Sequence, residues 1–147
     1  MAAAGNSEAQ SLRRLQIGQS AVAKKSFTTG DLTEYADLTK DTNPLFNDAA
    51  FARQVGFKDC IIPGPLLSGM FSDLLGTKLP GRGTNWLKQK LHFPAPAYMG
   101  DEITARVEIV RLRPEKDLVN LIGTCTNSSG EWVCQAQSLV LVRDLGE

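Results

Sequence analysis

A chain of 147 residues and 16.0 kDa has single-domain length and is expected to bury about two-thirds of its unfolded surface. Its 42% hydrophobic and 22% charged residues exclude a globally disordered or collagen-like chain. Sixteen Lys+Arg cancel sixteen Asp+Glu, so no excess positive field exists to hold nucleic acid or an anionic membrane, and copies do not repel one another.

The first residues, Met1 to Gln16, are small, polar and basic, with Arg13 and Arg14 but no apolar run of signal-peptide length. Residues 1–14 are expected to be a flexible leader and residues 15–147 one domain. Ala21 to Phe27 reads as a short strand. Thr28-Thr29-Gly30-Asp31 then supplies N-cap chemistry, and Leu32, Tyr35, Ala36 and Thr39 recur at helical spacing. Asp41-Thr42-Asn43-Pro44 stops that helix, because the residue before a proline is pushed out of the helical region. A short helix around Asp48 to Arg53 follows.

Pro65 to Gly76 carries Leu66, Leu67, Met70, Phe71, Leu74 and Leu75. Their spacing makes an apolar surface so wide that the helix must be covered on several sides. Pro65 suits its first turn and Gly76 its end. The stretch is broken by prolines and glycines and is too short to span a bilayer.

Beyond Pro80-Gly81-Arg82-Gly83 the pattern becomes extended. Thr84 to Phe93 makes a strand ended by Pro94 and Pro96. Ile103, Ala105, Val107 and Ile109 alternate with polar residues, and the phase slips at Val110, which predicts a bulge. Leu118 to Thr126 and Trp132 to Val142 form two more strands, joined by an Asn127-Ser128-Ser129-Gly130 turn. The fold class is therefore α+β, a curved antiparallel sheet packed around a buried helix.

With one histidine, His92, and three cysteines, a zinc site built from Cys and His is nearly excluded, and no metal is expected. Cys125 and Cys134 could face each other across the last hairpin and bridge. An odd cysteine count, with Cys60 and no secretory signal, instead favours free thiols in a reducing, cytoplasmic-type compartment.

Several separated segments, in order, carry a resemblance. They are Lys40-Asp41-Thr42-Asn43-Pro44-Leu45-Phe46-Asn47-Asp48, Ile62-Pro63-Gly64-Pro65-Leu66-Leu67, Phe71-Ser72-Asp73-Leu74-Leu75-Gly76, Leu79-Pro80-Gly81-Arg82-Gly83, Phe93-Pro94-Ala95-Pro96 and Gly100-Asp101-Glu102. Over roughly Leu15 to Val142 the chain resembles the MaoC-like (R)-specific enoyl-CoA hydratases and hydroxyacyl-thioester dehydratases of the hot-dog fold. The resemblance implies a single hot-dog domain, at least a homodimer, acting as a lyase on an acyl thioester or a polyketide-like molecule. It implies no cofactor beyond the coenzyme A or acyl carrier protein that the substrate carries.

In that family an Asp and a His, in an Asp-x-Asn-Pro-x-His motif, hold and activate a water that adds to the β-carbon of an enoyl thioester. Asp41 keeps the acid position, but Phe46 stands where the histidine belongs, and a phenyl ring neither accepts nor donates a proton. Pro63 replaces a second family histidine. The likeness makes Asp41, the Gly64 amide as oxyanion donor and Ser72 the expected catalytic set. Asn43, Phe46, Pro63, Met70, Phe71 and Trp86 are the expected substrate-binding residues, with Asp41 in a pocket walled by Phe46, Pro63 and the apolar helix. The plainer readings remain open: Asp41 as a turn former, Ser72 as a packed helix residue, Met70, Phe71 and Trp86 as core. His92 could be a replacement imidazole or a structural residue, and Arg111, Arg113 and Lys116 a phosphate contact or a solvated hairpin turn. The functional alternatives are a pocket reused for cyclisation or isomerisation and a non-catalytic ligand-binding subunit.

Overall fold

The computed structural model describes residue 12 and residues 14–143. Most of the expected leader lies outside the described residues. Two residues of it do not: Leu12 is buried in the main core, and the Arg14 guanidinium donates to the Pro80 carbonyl at 2.8 Å.

One five-stranded antiparallel sheet holds the chain, with strand order β1-β3-β4-β5-β2. Its strands are β1 (Ser20–Ser26), β2 (Thr84–His92), β3 (Glu102–Arg113), β4 (Leu118–Thr126) and β5 (Trp132–Val142). Between β1 and β2 lie α1 (Thr29–Thr39), α2 (Pro44–Asn47), α3 (Ala49–Gln54) and α4 (Gly64–Thr77). The fold is the expected α+β one.

Alternation decides which face of the sheet is dry. Ile103, Ala105, Val107 and Ile109 of β3, Val119, Leu121 and Cys125 of β4, and Cys134, Ala136 and Val140 of β5 all point inward and are buried. At Val110 the β3–β4 register slips between Ile109 and Arg111, the bulge that the broken alternation predicts. A second slip, between Trp86 and Lys88 in β2, leaves no comparable mark, because the polar and apolar residues there do not alternate cleanly. The β4–β5 turn is tied by the Asn127 side-chain oxygen, which accepts from the Ser129 and Glu131 amides at 3.0 and 2.9 Å.

Helix α4 lies on the dry face and touches β1, β2, β3 and β5. Leu67, Phe71, Leu74 and Leu75 are almost wholly buried, each contributing on the order of 2 kcal/mol from removal of apolar area. Gly76 does not end this helix, which runs on to Thr77 and closes with the Lys78 amide on the Leu74 carbonyl. The Phe71 ring of the helix packs over Gly123 of β4, where an added Cβ would stand 2.9 Å from it. In this chain Met70 and Phe71 pack within the core and Trp86, half-buried, packs against it.

Cys125 and Cys134 are direct cross-strand partners, and both are buried free thiols, as is Cys60. Pairing with Cys134, with burial, pushes Cys125 far up, while the same pairing draws Cys134 down. Two outcomes test this core. Gly123→Ala is expected to cost about 1–3 kcal/mol in urea unfolding, since the methyl must displace Phe71. An aromatic disulfide thiol reagent at mildly alkaline pH is expected to label the cysteines slowly in the native protein and all three once urea unfolds it.

Candidate active site

Helix α1 begins with a capping box: Thr28 Oγ1 accepts from the Asp31 amide and Asp31 Oδ2 from the Thr28 amide, at 3.2 and 2.9 Å. It ends at Lys40, whose amide bonds to the Ala36 carbonyl at 2.8 Å with a φ of 65°. That left-handed turn swings the chain back across the helix's last turn, a conformation glycine adopts more readily than lysine. Asp41 is therefore returned toward Tyr35, one helical turn and a half behind it.

From there each polar side chain caps the next backbone group. Thr39 Oγ1 accepts from the Asp41 amide at 3.2 Å. Asp41 Oδ1 accepts from the Asn43 amide at 3.2 Å, and Asp41 Oδ2 from the Tyr35 hydroxyl at 3.1 Å. Asn43 Oδ1 takes the Leu45 amide at 3.1 Å, capping α2, which opens on Pro44. Asp48 then caps α3 through the Phe51 amide. Short Asx turns thus build the whole segment, and Asn43 is one of their caps, exposed on the outside.

Asp41 is half-buried and opens on a cavity of about 240 Å³ shared with Thr33, Tyr35, Phe46, Cys60 and Met99. Burial pushes the Tyr35 phenol up, and its bond to Asp41 adds to the effect. Burial also pushes the Cys60 thiol up, with Asp59 and Asp48 adding to it. The Phe46 ring meets Tyr35 edge-on, with 6.4 Å between ring centres and 80° between planes. Pro63 is fully buried and does not border this cavity. The expected wall of Phe46, Pro63 and the apolar helix is corrected accordingly: Phe46 forms part of it, with α1 and the Cys60 and Met99 loops supplying the rest.

A second cavity, of about 410 Å³, shares Phe46 with the first and is lined by Phe46, Phe57, Ile62, Gly64, Leu67 and Phe93. Gly64 opens α4, and no side chain caps that helix; Pro65 has no amide and the Leu66 amide bonds to the Pro63 carbonyl, so the Gly64 amide is the one left to an oxygen at the positive end of the helix. The segment before it is anchored: Ile62 donates to the Ala97 carbonyl at 2.7 Å and Ile61 to that of Leu45 at 3.0 Å. A Cβ at 64 would stand 2.8 Å from Phe93 Cζ, so any larger residue there must push that ring aside.

The structure thus brings together Asp41, Phe46 and Gly64 around two cavities with a common wall. It leaves Ser72 apart: that residue is exposed and lies eight residues along α4 from Gly64, about 12 Å at helical rise. Ser72 is corrected to an exposed helix position that borders neither cavity of one chain. His92 is exposed near the end of β2, opposite Gln135, beside a different depression with Trp132 and Ile122. Arg113 is bound to Asn120 across the β3–β4 hairpin at 3.0 Å. No group of three or more metal-ligating side chains occurs among the described residues, and no helix there is long and apolar enough to cross a membrane. Tyr35 is the site residue that sequence reading misses. It reads as one position of a helical stripe, and its distance of six residues from Asp41 becomes contact only through the left-handed turn at Lys40.

The model of the MaoC-like domain matches residues 14–130. The (R)-specific enoyl-CoA hydratase of Aeromonas caviae is 38% identical over 130 residues, 88% of this chain and 97% of its own. A mitochondrial 3-hydroxyacyl-[acyl-carrier-protein] dehydratase of Solanum lycopersicum is 33% identical, over 95% of this chain and 85% of its own. Among solved structures, the A. caviae (R)-hydratase superposes with a TM-score of 0.85 at 37% identity, covering 89% of this chain and 99% of that one. An R-hydratase of Pseudomonas aeruginosa follows at 0.81 and 32%, covering 88% and 83%. With its five-stranded sheet wrapped on α4, the chain belongs to the MaoC-like family of hot-dog-fold hydratases and dehydratases, which are lyases.

Proposed function

We propose that the chain adds water to a trans-2-enoyl thioester, or removes it from the 3-hydroxyacyl thioester, with Asp41 as the acid–base group. The observation that carries this reading is that Asp41 and Gly64 line two cavities that share Phe46. Asp41, fixed by the Asn43 amide and the Tyr35 hydroxyl, borders one cavity. The uncapped N-terminus of α4 borders the next. An oxygen at the α4 terminus gains charge when water attacks the β-carbon, and the Gly64 amide offsets it. A carboxylate with two occupied oxygens still has lone pairs to take a proton from that water.

Phe46, Phe57, Ile62, Leu67 and Phe93 give the second cavity hydrocarbon walls suited to an acyl chain. A coenzyme A or acyl carrier thioester is the expected carrier, and the reaction draws on no cofactor of its own. The related proteins named as (R)-specific hydratases and as dehydratases of acyl-carrier and 3-hydroxybutyryl-CoA substrates support this class. A homodimer is the expected assembly: β2 ends the sheet and exposes Leu87 and Leu91, with Phe93 exposed beyond it. Free buried thiols suit a reducing, cytoplasmic-type compartment.

The loss of both motif histidines, at Phe46 and Pro63, favours one second reading: an apolar pocket that cyclises or isomerises a polyketide-like carbonyl compound. Following the ultraviolet absorbance of the conjugated thioester in crotonyl-CoA and longer enoyl-CoA substrates separates the two, because hydration abolishes it. Hydration is expected, and Asp41→Asn is expected to lower kcat about 10²–10⁴-fold. Absence of turnover on every enoyl thioester, with tight binding of a carrier-free ligand, supports the second reading instead.

A further inference from the structure

We propose that Tyr35 replaces the missing imidazole as the second proton-transfer group of this site. The proposal rests on the hydration reading above. Hydration needs a group that receives the proton of water and one that gives a proton to the α-carbon, and Phe46 can do neither. Among the residues lining the Asp41 cavity, the candidates are few. Asp37 is a second carboxylate, exposed, and an acceptor when ionised. The Thr33 hydroxyl is committed to the Thr29 carbonyl at 3.1 Å. Cys60 is a buried thiol whose ionisation is pushed up, and its sulfur has no bond to Asp41. Tyr35 is the acid that bonds directly to Asp41, at 3.1 Å.

The surroundings hold the phenol in its protonated form. Burial and the Asp41 carboxylate both oppose its ionisation, so Tyr35 serves as a donor and Asp41 as the base. Phe46, edge-on to the Tyr35 ring, packs beside the pair. The steps balance. Water bonds to the β-carbon and loses a proton to Asp41. The carbon–carbon π pair moves into the bond between the α-carbon and the carbonyl carbon, and the carbonyl π pair moves to the thioester oxygen, which is stabilised by the Gly64 amide. The enolate then collapses and takes the Tyr35 hydroxyl proton at the α-carbon. Asp41 returns its proton to the phenolate along their hydrogen bond. One water is added, and both side chains recover their starting states.

A hydroxyl that only positions Asp41 also slows the reaction when removed, so the test pairs it with the absent imidazole. Wild type, Tyr35→Phe, Phe46→His and the double variant are assayed for kcat and KM on crotonyl-CoA, with circular dichroism to confirm folding. Tyr35→Phe is expected to lower kcat about a hundredfold with KM within about threefold. Phe46→His is expected to raise kcat far more in the Tyr35→Phe background than in wild type, because it supplies what Tyr35 supplied. Equal gains in both backgrounds, or a Tyr35→Phe variant within about threefold of wild type, overturn the proposal. If Tyr35→Phe does not fold, Phe46→His alone decides: a gain below about tenfold supports Tyr35, and one of about tenfold or more overturns it. An inactive wild type with an active Phe46→His variant also overturns it while leaving the scaffold assignment standing. Inactivity of both wild type and Phe46→His removes the hydration reading itself, and the proposal with it.

Discussion

Everything in this molecule depends on how closely one helix can lie against a curved sheet. Helix α4 is apolar around most of its circumference, so it is stable only when β-strands cover it on more than one side. Gly123 permits the approach by leaving room for the Phe71 ring. The sheet's bulges at Val110 and Leu87 belong to the same requirement, since a bulged strand bends and twists more strongly than a regular one. Once the helix is enclosed, its start is fixed too. Ile62 is bonded to Ala97, the Phe93 ring lies beside Gly64, and Gly64 borders a cavity.

The other half of the site has a different origin. Nothing in the core dictates the orientation of Asp41. Its position comes from a run of local turns, each closed by the side chain of Thr39, Asp41, Asn43 or Asp48. A carboxylate held on both oxygens by nearby donors is preorganised before any substrate arrives, which is the condition for electrostatic stabilisation without reorganisation. One part of the site is thus set by long-range packing and the other by short-range hydrogen bonding. Phe46 is where the two parts touch.

This division also explains what the sequence discloses. The strands are legible because burial on one face writes a two-residue period, and even the slip at Val110 shows as a broken period. Helix α4 is legible through its density of apolar residues, although Gly76 misleads about its end by one residue, since a glycine without a positive φ can sit in the last turn without terminating it. Asp41, Phe46 and Gly64 are found through the family motif. Tyr35 is not, because its partnership with Asp41 depends on a positive φ at a lysine, which no residue pattern announces. Ser72, Met70, Phe71 and Trp86 pose the opposite problem. Motif position and apolar character identify them, but neither says whether a side chain faces a cavity, the core or solvent.

Phe46 has a further consequence as the wall between two chambers. Because Phe46 lines both volumes, a change of size or polarity at that position alters both in one step. On the proposed reading, selectivity for the chain and chemistry at the double bond are therefore inherited together. A lineage that changes this residue cannot adjust one property and hold the other constant, so each replacement at 46 must be matched by a neighbour on whichever side it disturbs.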